Sequence, residues 1–212
     1  MYQVKSLTER NETDNMKIYD ISQEVFGCEV FPGDEPPVRY VRENIENGSI
    51  YNLTALSMCA HNGTHIDAPY HFYKDGRTVD MIDLEKLIGK CYVTFAEGAV
   101  TAETAQSVID KARSMDKEAA KRILIGGDAF VTIEAAKVFT KENIVLLGNE
   151  SQTVGPLNAP AQVHYELLGA EVVLLEGIRL WGVEEGVYLL NSAPINLGGS
   201  DGAPCRAILI KE

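Results

Sequence analysis

The spacing of apolar and polar positions changes several times along the chain, and each change marks a predicted element. Residues 1–15 are polar and of mixed charge, and predict a tail or an arm. A denser pattern opens at Met16, where Met16, Ile18 and Ile21 predict a strand. Phe31-Pro-Gly-Asp-Glu-Pro-Pro37 is punctuated by Pro and Gly and predicts a turn-rich loop. Ile50 to Ala60 alternates apolar with small polar residues, which predicts a strand running straight into His61. Short apolar runs at Cys91–Ala96, Arg122–Gly126, Ile144–Gly148, Val172–Leu175 and Cys205–Ile210 predict five more strands. In Thr101–Met115, Ala102, Ala105, Val108, Ile109, Ala112 and Met115 share one face at helical spacing, with Thr101 as N-cap and Glu103 favourable in the first turn. Thr132–Thr140 and Gln162–Leu168 predict two further helices. Strands that alternate with helices imply a mixed α/β class. No repeat or linker interrupts residues 16–212, which are expected to form a single domain.

Composition narrows the functions open to such a domain. The 212 residues are 45% hydrophobic and 24% charged, a balance that favours a globular chain with a real core over disorder. Lys and Arg number 19 against 31 Asp and Glu, a net charge of −12. A chain this acidic, without a basic cluster, is not expected to bind nucleic acid or anionic membranes, both of which recruit cations. It suits a small neutral or zwitterionic substrate. There is no apolar segment near the N-terminus of the kind a secretory signal carries, and no apolar run of the roughly 18–20 residues that span a bilayer. Cys28, Cys59, Cys91 and Cys205 are far apart and form no CxxC pair, which predicts free thiols and a cytoplasmic location.

The chemistry concentrates in His61-Asn-Gly-Thr-His65-Ile-Asp67-Ala-Pro-Tyr-His71-Phe72. Imidazole and carboxylate ligands suit zinc, manganese or iron. Pro69 drives Ala68 towards extended backbone, so the segment does not continue as one helix. In an extended stretch His65 and Asp67 point to the same side, and His61 reaches the same ion from a turn earlier. His71 lies beyond the proline, near the ion without having to ligate it, where a proton shuttle is placed. The zinc-protease motif HExxH is excluded because Asn62 stands where its Glu is needed. A closed structural metal site is the competing reading, but such sites are mostly Cys-rich.

HNGTHIDAPYHF resembles the HxGTHxDxPxHF signature of the cyclase-family metal hydrolases, a group that includes bacterial kynurenine formamidase (arylformamidase) and isatin hydrolase. Asp20-Ile-Ser22, Phe31-Pro-Gly-Asp34 and Gly199-Ser-Asp201-Gly-Ala-Pro204-Cys-Arg206 are similar to flanking motifs of that family, so the resemblance runs from about Met16 almost to the end. It implies the swivelling β/β/α fold and a homodimer or homotetramer. It implies one or two divalent ions, zinc first and manganese as the alternative. By the same resemblance His61 and His65 hold one metal, Asp67 and Glu176 bridge two, His164 serves the second, and His71 is the catalytic acid and base. His164 falls on a predicted helix, and Glu176 ends the run Val-Val-Leu-Leu.

The implied reaction is hydrolysis of an amide-type C–N bond by metal-activated water. The substrate implied first is N-formylkynurenine, cleaved to kynurenine and formate in tryptophan catabolism. Two alternatives accompany it: a cyclic amide or imide (isatin-like) hydrolase or cyclase of the same family, and a non-catalytic metal-stabilised binding protein. Formamidases that resemble this chain carry Trp where Phe31 stands, and Phe31 is expected to contact the substrate. Residues 148–155 depart from the family pattern at Glu150, Thr153 and Gly155, which predicts a changed pocket floor.

Overall fold

Strands buried on both faces are apolar at consecutive positions, and the runs ending at Phe95, Gly126, Asn149 and Glu176 have that character. The computed structural model describes residues 16–211, so the predicted tail or arm at 1–15 lies outside the described residues. In chain order the strands are β1 (Lys17–Asp20), β2 (Val38–Glu43), β3 (Leu53–Ser57), β4 (His65–Asp67), β5 (Ile88–Phe95), β6 (Gly98–Val100), β7 (Arg122–Gly126), β8 (Ala129–Val131), β9 (Leu146–Asn149), β10 (Val173–Glu176), β11 (Gly186–Asn191), β12 (Gly202–Pro204) and β13 (Ile208–Lys211). The helices are α1 (Leu84–Leu87), α2 (Ala102–Met115), α3 (Ile133–Lys141) and α4 (Ala161–Gly169).

Nine strands form one sheet in the order β1-β13-β11-β5-β7-β9-β10-β4-β12. Its centre, β5-β7-β9-β10, is parallel, and both wings are antiparallel. The chain is therefore a mixed α/β domain, as the alternation of elements predicted. The predicted helices all form, within a residue or two of their expected ends. Thr101 and Thr132 cap α2 and α3, each hydroxyl accepting from the backbone N–H three residues on. The strands β2, β6, β8, β11 and β12 lie outside the predicted elements. Of these, β11 and β12 belong to the main sheet, while β2 pairs with β3 in a separate ribbon.

Alternation along the central strands gives the sheet two cores. Ile123, Ile125, Leu147 and Leu174 face the helices, where Ile109, Phe139 and Leu167 meet them. Leu124, Leu146, Val173 and Leu175 face the other way and pack with Ile66, Leu190 and Leu209. The sheet is thus held rigid from both sides, and the strand ends at Glu176 and Asp67 inherit that rigidity. Phe139 is fully buried in the helix-side core. Phe139→Ala is expected to lower the unfolding free energy by about 3–5 kcal/mol through lost burial and a residual cavity, as read by urea denaturation.

Candidate metal centre

The site is set by the register of one short strand. β4 lies between β10 and β12, with His65 opposite Glu176 and Pro204, and Asp67 opposite Leu174 and Gly202. Ile66 packs into the core on the far face, so period-two alternation turns His65 and Asp67 to the helix side. Glu176 shares that side with Leu174. The first turn of α4 then brings His164 over the same spot. Gly202 makes room for His61: a Cβ there would lie 2.7 Å from His61 Cε1 and 2.7 Å from the Ile66 carbonyl oxygen.

Asp67 is the hub. Its Oδ1 lies 2.8 Å from His61 Nδ1 and 3.3 Å from His65 Nε2, and its Oδ2 lies 3.6 Å from His164 Nε2. Glu176 completes the group, with Oε2 3.5 Å from His65 Nε2 and Oε1 3.3 Å from His164 Nε2. The ligand atoms fall into two sets that share Asp67: His65, Asp67 and Glu176, and His61, Asp67 and His71. Two imidazoles are aimed by backbone. His65 Nδ1 donates to the Gly63 carbonyl at 2.9 Å and His164 Nδ1 to the Pro160 carbonyl at 3.0 Å. A carbonyl only accepts, so each Nδ1 carries a hydrogen and each Nε2 is the atom turned to the carboxylates. The Val154 N–H donates to Glu176 Oε1 at 2.8 Å and fixes that carboxylate in turn.

The cluster draws positive charge. Burial opposes protonation of all three ligand imidazoles, but the carboxylates outweigh it. The charge of Asp67 and hydrogen bonds to Asp201 and Asp67 hold His61 at about 11. Contacts with Asp67 and Glu176 raise His164 to about 10 and His65 to about 9. Burial pushes the Asp67 carboxyl up, yet the charge of His61 and contacts with His164, His61 and His65 hold it well below the usual carboxylate range. His65 Nε2 and Asp67 Oδ2 are buried and make no hydrogen bond. Buried ligand-type nitrogen and oxygen atoms left without a hydrogen-bond partner, with no thiolate among them, fit a divalent cation that takes the place of the protons.

The cluster opens into a cavity of about 350 Å³. Phe31, His61, His65, His71, His164 and Glu176 all line it, and Asp67 lies just behind them. All seven candidate residues are thus brought together. Three further residues stand in the family-like motifs without a role that the sequence assigns. Asp201 Oδ2 lies 2.9 Å from His61 Nε2 and 3.2 Å from His71 Nδ1, and hydrogen bonds from those two rings hold its carboxyl well below the usual range. The signal in the sequence is its place in the Gly199–Arg206 motif, in a Gly-rich turn leading into β12. Phe72 stacks on His164 with ring centroids 4.7 Å apart, and Asp34 stands at the cavity wall beyond the turn of Phe31. The expected change in the pocket floor divides in two. Thr153 does line the cavity, but Glu150 turns away, accepting from the Gly127 and Leu180 N–H groups at 2.7 and 2.9 Å, and so braces loops instead.

A rigid sheet end that offers a cation-binding cluster beside a small cavity is the equipment of a metal-dependent hydrolase. The chain belongs to the cyclase family: residues 13–185 match the family described as "Putative cyclase". It is 31% identical over 207 residues to kynurenine formamidase of Erythrobacter litoralis, covering 91% of this chain and 93% of that one. A solved structure described as a predicted metal-dependent hydrolase from Bacillus stearothermophilus is 26% identical, with a TM-score of 0.77 over 94% of this chain and 100% of that one. Isatin hydrolase A from Ralstonia solanacearum shares the fold, with a TM-score of 0.79 at 20% identity over 93% of each chain.

Two outcomes follow from the geometry. Metal binding has to displace the protons that the carboxylates hold on His61, His65 and His164. Calorimetry in buffers of different ionisation enthalpy is expected to show proton release, with affinity rising from neutral pH up through about 9, the value of His65. Gly202→Ala is expected to displace the His61 ring and weaken metal affinity about 10- to 100-fold, with far-UV circular dichroism unchanged.

Proposed function

We propose that the protein hydrolyses an aryl formamide, with N-formylkynurenine as the first candidate and kynurenine and formate as products. The observation that carries this reading is His71, whose Nδ1 is held by Asp201 while its ring lines the cavity within reach of His61 and Asp67. Phe31 and Phe72 supply apolar walls for an aromatic ring. The cavity volume suits a small aromatic substrate. The similarity to kynurenine formamidase over nine-tenths of the chain supports the same choice.

His61, His65, Asp67, His164 and Glu176 would hold one or two zinc ions, with manganese suited to the same ligands. A bound divalent ion lowers the pKa of water and polarises a carbonyl. The protein's own part is to move the proton. With Nδ1 engaged by Asp201, the His71 Nε2 is the atom free to take a proton from the attacking water and deliver it to the leaving nitrogen. Phe31 and Phe72 flank the ring of the substrate and keep water from its far side. We place the enzyme in the cytoplasm, in keeping with four free cysteines, and expect a homodimer or homotetramer. Among the described residues no helix is long and apolar enough to cross a membrane.

His71→Ala is expected to lower kcat on an aryl formamide about 10²- to 10⁴-fold while metal content by mass spectrometry stays at the wild-type value. Equal loss of metal would make His71 a ligand instead. Asp67→Ala is expected to lose the metal altogether, because it strips charge from both ligand sets. The substrate is tested on metal-reconstituted enzyme, with and without chelator, against N-formylkynurenine, simple aryl formamides and isatin. Turnover of isatin without turnover of any formamide would replace deformylation with ring opening.

A further inference from the structure

Four carboxylates stand in or just behind the cavity, and three of them are engaged. Asp67 and Glu176 face the ligand imidazoles, and Asp201 is held between His61 and His71. The fourth, Asp34, is half-buried at the wall, and its side chain makes no hydrogen bond or ion pair among the described residues. Among those residues no Lys or Arg lines the cavity. A tight turn sets Asp34 beside an aromatic ring. Its backbone N–H donates to the Phe31 carbonyl at 3.0 Å, and Pro32 and Gly33 fill the two positions between, with Gly33 at φ 107°. Pro followed by Gly at positive φ is the arrangement of a type II turn, which keeps its first and last Cα atoms within about 7 Å. Both side chains line the same cavity. A substrate ring laid on Phe31 therefore brings a short chain on that ring to Asp34. A carboxylate without a partner, next to an aromatic face, is complementary to a cation. An ammonium satisfies the oxygens by charge-assisted hydrogen bonds, and the ring face adds its own attraction. An anion in the same place would meet Asp34 and find no lysine or arginine to pair with.

We infer, resting on the aryl formamide reading, that Asp34 is the specificity residue of this cavity and selects substrates whose ring carries a chain ending in a primary ammonium. An amino-acid chain such as that of N-formylkynurenine bears two charges. The wall offers a partner to its ammonium and none to its carboxylate. A chain that carries the amine alone therefore suits the cavity better than the full amino acid.

The test is calorimetry of the metal-reconstituted enzyme with deformylated products: three ortho-aminophenyl ketones whose acyl chains end in a primary ammonium, a methyl group or a carboxylate. Product binding needs no turnover, so it reads Asp34 separately from the chemistry. The wild type is expected to bind the ammonium ketone about 10- to 100-fold more tightly than the methyl ketone, the worth of a hydrogen bond to a charged group, and the carboxylate ketone most weakly. In Asp34→Asn the preference for ammonium over methyl is expected to vanish. In Asp34→Lys the carboxylate ketone is expected to bind best. Each preference is a ratio within one protein, so a variant of lower overall affinity is still informative. The matching formamides are expected to show the wild-type ratio in kcat/KM, carried by KM rather than by kcat. Equal affinity of the wild type for the ammonium and methyl ketones overturns the inference. So does a preference that survives Asp34→Asn, or a wild type that binds the carboxylate ketone as tightly as the ammonium ketone. Ammonium-selective binding that depends on Asp34, without turnover of any formamide, supports Asp34 as the ammonium anchor and counts against the proposed chemistry alone.

Discussion

The structure is organised around a buried carboxylate. Asp67 has 1% of its surface exposed, and an ion so placed is costly unless positive charge surrounds it. Three imidazoles converge on it, and each is supported from outside: His65 by a loop carbonyl, His164 by the carbonyl that begins its helix, His61 by a second carboxylate. These supports fix direction as well as charge. They let a cluster with two buried polar atoms that lack a hydrogen-bond partner persist in a folded protein, where such atoms are rare.

The same three-residue strand serves stability and chemistry. Ile66 is fully buried in the far core, while its neighbours His65 and Asp67 face the cluster. A one-residue slip of β4 would exchange the two sets, placing Asp67 and His65 in an apolar core. Two flanking strands and one apolar side chain therefore protect ligand geometry more firmly than a loop could. The glycines beside this strand have a matching purpose. Gly202 admits the His61 ring, and Gly177, at φ 67°, turns the chain away immediately after Glu176 where a Cβ would strike the Gly63 carbonyl.

Much of the centre was legible in the sequence because its ligands cluster. His61, His65, Asp67 and His71 fall within one short segment of a His-poor chain, and period-two alternation correctly turned His65 and Asp67 to one side. Asp201 stands in a family-like motif, but its role is not legible there, for the opposite reason. It is one of 31 acidic residues, and only the pairing of β12 with β4 brings it to His61 and His71. Glu150 stands in an altered motif that predicts a changed pocket floor, yet two backbone N–H groups claim its carboxylate. The helices were read almost to the residue, since α2 and α3 are capped by threonines and patterned at helical spacing. Strand order was not readable: pairing between β4 and β10 joins residues more than a hundred positions apart, and no local pattern encodes it.

That separation also fixes when the centre can come into being. β4 is made before β10 and β12, its neighbours among the described residues. Chains emerge from the ribosome N-terminus first. The histidine-rich segment therefore emerges well before the strands that aim it and before His164 and Glu176. A half-made chain holds loose imidazoles and no cage. The five proposed ligands stand together only once the chain has been made through Glu176 and folded around β4.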